Sequence, residues 1–306
     1  MNTKPPILVT GSHRSGTTWA GQMLCLSPHT AYVHEPFNID LPFGPLATRP
    51  ANWYHRVTEH EASLFETAFR DVIQFRYPLM HRLPKVRGPF DIARIAREQG
   101  RMLIHRIRAA RPIVKDPLAF FSAEWLADAF DMQVLVMVRH PAAFCSSLML
   151  KGWSFDFRNF RDQAALMEGD LLPFAAQITR QSDEPGDLLS QAILLWNCIH
   201  STMLRYRKDR PDWLFVRHED LSRAPVEGFQ EIYASFGLEF SQEASQGISD
   251  ATGSHNPSEQ HRASEFRRNA RANIDNWKRR LSADEIIRIR EATQEIASNS
   301  YSDEDW

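Results

Sequence analysis

Cysteine is scarce. The chain has three in 306 residues, Cys25, Cys145 and Cys198, each set in an apolar helical pattern. An odd number without disulfide or metal-ligand spacing excludes a disulfide framework and a thiolate metal centre, and reads as reduced core thiols. Long apolar runs are missing too: no stretch of about 18 apolar residues occurs, so no transmembrane segment is expected. Charge of one sign is also lacking, the net being −2, which argues against a dedicated nucleic-acid partner. Met1 to Pro6 lead straight into an apolar run and leave no room for a signal peptide, so a cytoplasmic location is expected. Internal repeats and low-complexity segments are absent.

With 43% hydrophobic residues, the chain can bury a large core. The expectation is one domain over 1–306, with a helical insertion at about 50–110. Apolar runs predict strands at 7–10, 31–33, 113–115, 134–138 and 213–217. Helices are predicted over 17–26, 141–151, 162–181 and 187–209. Between 50 and 110, Val57, Leu64, Ala68 and Val72 recur at helical spacing, as do Phe65, Phe69 and Ile73, and Ile92, Ile95, Leu103 and Ile107. Strands alternating with helices imply an α/β fold, a central parallel sheet flanked by helices. Gln181 to Gly186 reads as a helix break, and the proline-rich stretch 36–50 as a loop over a substrate mouth.

Directly after the first strand come Gly11, Ser12, His13, Arg14, Ser15, Gly16, Thr17, Thr18 and Trp19. A strand, a glycine-cornered loop and a helix form an anion site from backbone N–H groups and the helix dipole. The spacing of Gly11, Gly16 and Thr18 matches the Walker pattern, with Thr17 where the lysine belongs. Nucleotide kinases use that lysine on the β- and γ-phosphates. Here the cradle stays, the lysine is gone, and Arg14 brings a cation three residues earlier. The loop suits a phosphate-rich ligand other than ATP.

This loop resembles the 5′-phosphosulfate loop of the sulfotransferases, whose donor is 3′-phosphoadenosine 5′-phosphosulfate (PAPS). Arginine at position 14 is more like the carbohydrate and tyrosylprotein branches than the cytosolic branch, which carries lysine. The resemblance implies a P-loop NTPase-like sulfotransferase fold with helical insertions. Further blocks extend it. Arg139 and Pro141 follow the strand 134–138, with Ser147 eight residues after the arginine, similar to the family's 3′-phosphate site. A guanidinium and a hydroxyl are apt phosphate donors. His218 stands where the family has an aromatic residue near the adenine, and Trp19 matches the position that stacks on it. Phe266 to Arg271, ahead of Asp275 and Trp277, is similar to the segment that closes over the 3′-phosphate. The spacing to the tryptophan does not decide among Arg267, Arg268 and Arg271, of which Arg268 and Arg271 are its candidates, and seven basic residues between 262 and 280 also fit a solvated face.

Sulfonyl transfer needs cations at the departing oxygen and an acceptor for the substrate's proton, by analogy with phosphoryl transfer. Arg14 is the first candidate cation. Lys115 is the second, in Lys115-Asp116-Pro117, which resembles a tyrosylprotein sulfotransferase motif. Glu35, before Pro36, resembles the catalytic glutamate of the carbohydrate enzymes and is the preferred base, particularly if burial raises its pKa. His34 is its neighbour and competitor. The resemblance implies PAPS as co-substrate, 3′-phosphoadenosine 5′-phosphate (PAP) as product, no metal requirement, and a small-molecule or glycan acceptor with a hydroxyl. The rival readings are a P-loop kinase without the Walker lysine and a non-catalytic PAP-binding module.

Overall fold

Ile7–Gly11 (β1) is buried along its whole length, as its unbroken apolar run demands of a strand covered on both faces. In the computed structural model, which describes residues 4–41, 44–76, 78–83, 86–253 and 271–306, β1 is the centre of a five-stranded sheet. Thr30–His34 (β2), Arg111–Lys115 (β3), Gln133–Val138 (β4) and Leu214–Arg217 (β5) complete it in the order β2-β3-β1-β4-β5. Every pairing is parallel. The edge strand β2 alternates, burying Ala31 and Val33 and turning His34 outward.

After β1 the chain enters Thr17–Leu24 (α1). The crossover from β2 to β3 holds Glu59–Ile73 (α2), Leu79–Arg82 (α3) and Pro89–Ile107 (α4). Ala123–Phe130 (α5) precedes β4 and Pro141–Lys151 (α6) follows it. Alternate residues of β1 feed two cores. Leu8 packs with α2, α5, α6 and the long helix Leu188–Asp209. Ile7 and Val9 pack on the opposite face with α1 and the helices Pro225–Ser235 and Gln242–Thr252. The result is the expected parallel α/β sheet with helices on both sides.

Several local expectations hold. The thiols of Cys145 and Cys198 are buried and free, and that of Cys25 is half-buried and free. One helix stops at Asp183 and the next starts at Leu188, where the Asp187 carboxylate accepts from Ser190 N at 2.6 Å. Among the described residues no helix is long and apolar enough to cross a membrane.

One expectation fails locally. The helix predicted over 162–181 is broken into Ala164–Met167, a 3-10 turn at Leu172–Phe174 and Ala175–Asp183. Gly169 and Pro173 fall in the gap, where one adds backbone entropy and the other lacks an N–H donor. Asp170, in that gap, pairs with Arg56 and with Arg205 Nε, the latter at 2.6 Å, a use of the chain that apolar periodicity does not register. The helix expected from Ile92, Ile95, Leu103 and Ile107 forms as α4, with Ile92, Leu103 and Ile107 59%, 53% and 74% exposed and only Ile95 of the repeat buried.

Gly11, at the end of β1, is paired with Met137 of β4. Its φ is +134°, and a Cβ there would lie 2.4 Å from Met137 O. Gly11→Ala should therefore cost about 1–3 kcal/mol, read as a lower urea midpoint at unchanged slope. A midpoint equal to wild type would show that the two strands can part without penalty.

Candidate active site

All five strands end on one edge, because every pairing is parallel. That edge carries Glu35 after β2, Lys115 on β3, the loop 12–16 after β1, Arg139 after β4 and His218 after β5. Open α/β sheets bind ligands at this edge. Neighbouring strands lie about 4.8 Å apart, so the sheet order is also a spatial order. Glu35 and Lys115 sit on one flank of the loop; Arg139 and His218 sit on the other.

The loop is tied from within. Ser15 Oγ donates to Ser12 O at 2.6 Å and Ser15 N to the same oxygen at 3.2 Å. Gly16 precedes α1 with φ +92°, and a Cβ there would lie 2.5 Å from His218 Nδ1. No side chain caps the N-terminus of α1, which leaves its first amides for an anion. Tyr54, fully buried, secures the outer side: its hydroxyl accepts from His13 N at 3.0 Å and lies 2.7 Å from His13 Nδ1. Burial, then the Arg14 charge, lowers His13 to a pKa of about 4, so the ring is neutral at pH 7. Tyr54 escaped the sequence reading, since nothing in its surroundings marks a partner 41 residues away.

Arg14 has left-handed backbone (φ 65°) and turns toward β4. Its Nε donates to Ser147 Oγ at 2.9 Å, its guanidinium lies 5.4 Å from the Trp153 ring centre, and its carbonyl accepts from Arg139 Nη1 at 2.6 Å. The structure thus joins Arg14, Arg139 and Ser147 in one cluster. Trp19 meets His218 edge-on at 5.6 Å and Phe229 at 5.2 Å. Burial, then the Arg139 charge, holds His218 well below the usual histidine range. Its Nδ1 is buried with no partner among the described residues.

The C-terminal part of the chain closes this flank. His140, at the start of α6, stacks on Trp277 at 5.1 Å and meets Tyr301 and Trp306 edge-on. Glu219 accepts from His140 N at 3.1 Å and from Tyr301 Oη at 3.0 Å. The turn Arg271–Asn273 lies against the helix His218–Arg223, with Arg271 itself exposed. Arg268 falls outside the described residues.

On the other flank, Lys115 Nζ pairs with Glu35 Oε1. Lys115 is 1% exposed. Glu35 has left-handed backbone (φ 41°), its N donates to Lys115 O at 2.8 Å, and Asn38 Nδ2 donates to its Oε2 at 2.5 Å. Burial opposes ionisation of Glu35, but the Lys115 charge and hydrogen bond, with His34 and Asn38, outweigh it and hold the carboxyl below its usual value. The expectation that burial would raise it is corrected by this pairing. His34 is half exposed, with Nε2 at 3.9 Å from Glu35 Oε2. Burial and then Lys115 lower its pKa.

Asp116 was read only as part of the Lys-Asp-Pro motif, and the structure gives it a task. Fully buried, it accepts from Phe37 N at 2.6 Å, Leu118 N at 2.9 Å and Ala119 N at 3.2 Å. It thereby fastens the turn that carries Glu35 to the end of β3.

This strand-end arrangement is the setting in which the chain can be classed. The chain belongs to the sulfotransferase family, whose model matches residues 5–242, a span that includes all five strands and the loop. It is an enzyme of that family. Among solved structures, the sulfotransferase domain from the curacin biosynthetic pathway is similar over 98% of this chain and 98% of its own. The identity is 13% and the TM-score 0.52, a likeness of fold. The sulfotransferase domain from the Synechococcus PCC 7002 olefin synthase aligns over 99% of this chain and 98% of its own, at 15% identity and TM-score 0.46. A mouse sulfotransferase complexed with PAP aligns over 97% and 85%, at 12% identity and TM-score 0.44. No curated protein sequence matches the chain.

Burial, then the Glu35 charge, pushes the Asp116 carboxyl up to about 7. The folded state therefore keeps a proton that the unfolded chain releases near pH 4, so this group's contribution to stability falls as pH rises from about 4 to about 7. Asp116→Asn should abolish that slope in melting temperature against pH. It should also cost about 1–3 kcal/mol, because an amide turns NH2 toward one of three backbone donors. An unchanged slope would remove Asp116 from the account.

Proposed function

We propose that the enzyme transfers the sulfonyl group of PAPS to a hydroxyl on a carbohydrate, glycolipid or other small-molecule acceptor and releases PAP. The observation that carries this reading is the order of groups along the strand ends. A carboxylate–ammonium pair flanks the phosphate loop on one side, and a two-arginine, serine and aromatic flank lies on the other. The residues fit the nucleotide: α1 begins without a side-chain cap, and His218 Nδ1 is buried without a partner among the described residues. Loop residues 11–18 would hold the 5′-phosphosulfate, Arg14, Arg139 and Ser147 the 3′-phosphate, and Trp19 and His218 the purine. The arginine loop and the Lys-Asp-Pro motif support the carbohydrate or tyrosylprotein branch.

PAPS supplies the sulfonyl group, with a phosphate as its leaving group. Glu35, ionised because Lys115 faces it, takes the proton of the acceptor hydroxyl. Proton uptake removes the charge that engages Lys115. The ammonium then becomes available to the negative charge that grows on the leaving oxygen. One buried pair would in this way supply both the base and the cation.

In thermal melts, PAP should raise the melting temperature more than ADP does, since ADP lacks the phosphate assigned to Arg139 and Ser147. A hundred-fold excess over the dissociation constant gives about 2.7 kcal/mol. Ser147→Ala should narrow the gap and Arg139→Ala close it. Equal shifts with both nucleotides would sink the 3′-phosphate assignment.

Glu35→Gln should lower kcat by roughly 100- to 10000-fold with PAP affinity near wild type. The wild-type rate should stay level with falling pH to below the ordinary glutamate value of about 4.3, because Lys115 holds Glu35 ionised. Activity should persist in EDTA. A Glu35→Gln enzyme that keeps its rate, while His34→Ala loses it, would move the base to His34.

A further inference from the structure

Helix α4 packs on the protein through a narrow stripe, with Ile95 buried and Met102 partly buried against the core. At 3.6 residues per turn its remaining surface divides into two more stripes, each about a third of a turn from the next. One is apolar: Ile92, Ala96, Leu103 and Ile107, all exposed, with Ile104 (49% exposed) on its border. The other is basic: Arg94, Arg97, Arg101 and Arg108, all exposed. Residues 89–108 hold five arginines and two acids in a chain of net charge −2. Glu98 serves Arg94 at 3.0 Å and Arg82 at 2.7 Å. Among the described residues no carboxylate pairs with Arg97, Arg101 or Arg108. Phe90, 90% exposed, adds an apolar ring at the start of the helix on the side of the arginine stripe.

We infer that α4 docks this enzyme on an anionic membrane surface. An exposed apolar stripe beside an arginine stripe is the pattern of a helix that lies in the interface, its apolar side chains among the acyl chains and its guanidiniums on headgroup phosphates. A second copy of the chain fits less well. A two-fold contact would press the same arginine stripe against itself, like charge on like. The helix is also linked to the site's mouth, for Arg82 pairs with Glu98 of α4 and donates to Gly44 O in the loop that follows Glu35. Docking would set that mouth against lipid and present a lipid-borne hydroxyl to Glu35, a consequence that rests on the acceptor reading above.

The test is co-sedimentation of the full chain, without nucleotide, with vesicles of phosphatidylcholine alone and of phosphatidylcholine mixed equally with phosphatidylglycerol. The wild type should bind the anionic vesicles, and high salt should weaken the binding. Arg97→Gln with Arg101→Gln should reduce partition on the order of 30-fold. Leu103→Asp with Ile107→Asp should reduce it at least as much, and both variants should keep wild-type melting temperature and PAP response. Because binding is read without turnover, the result stands apart from the sulfonyl-transfer reading. Absence of binding, or equal binding to both vesicles unaffected by the arginine changes, would overturn the inference. So would a wild-type dimer that ignores vesicles and dissociates on Leu103→Asp with Ile107→Asp.

Discussion

A lysine ammonium that is 1% exposed needs a counter-charge within reach, and for Lys115 that charge is Glu35. Removing either partner would strand the other, a loss of about 3–5 kcal/mol for buried pairs. The surrounding chain is arranged to keep them together. Glu35 accepts a left-handed backbone, its N–H donates to the carbonyl of Lys115, and Asp116 grips the next turn through Phe37 N. The strain belongs to a turn that would otherwise carry its carboxylate away from the end of β3. Strain of this kind persists where the surroundings over-determine it.

The opposite flank is built by different means. Arg14 and Arg139 bring two cations close together: the Arg14 carbonyl receives Arg139, and Ser147 and Trp153 receive Arg14. Two neighbouring guanidiniums suit a multiply charged anion. His140, Glu219, Trp277, Tyr301 and Trp306 close the cluster from behind and join the last helices to the start of α6. The loop lies between the two flanks, and at Gly11 and Gly16 a side chain would strike Met137 or His218.

Much of this was legible in the residues. The loop, the strand-end arginine and the Lys-Asp-Pro motif each follow an apolar run with strand character, so their positions at one sheet edge follow from alternation alone. What escaped notice has a common cause. Tyr54 on His13, Asp170 between two arginines and Asp116 on Phe37 are polar contacts across 35 or more residues, and periodicity reports only which face of an element is apolar. In α4 the periodicity identified the helix but not its neighbours, for an apolar stripe looks the same whether a core or open surface lies beside it.

By itself, then, the sequence determined the parallel α/β class, the glycine-cornered loop after the first strand, and the residues that stand at strand ends, because these follow from local pattern and chain order. Tertiary structure decided how those residues are shared. It turned Arg14 toward Ser147, matched Lys115 with Glu35, and lowered the Glu35 pKa where burial alone would raise it. The sign of that shift depends on a charge 80 residues away in the chain, brought within contact distance by the β2–β3 register that sets His34 beside Lys115.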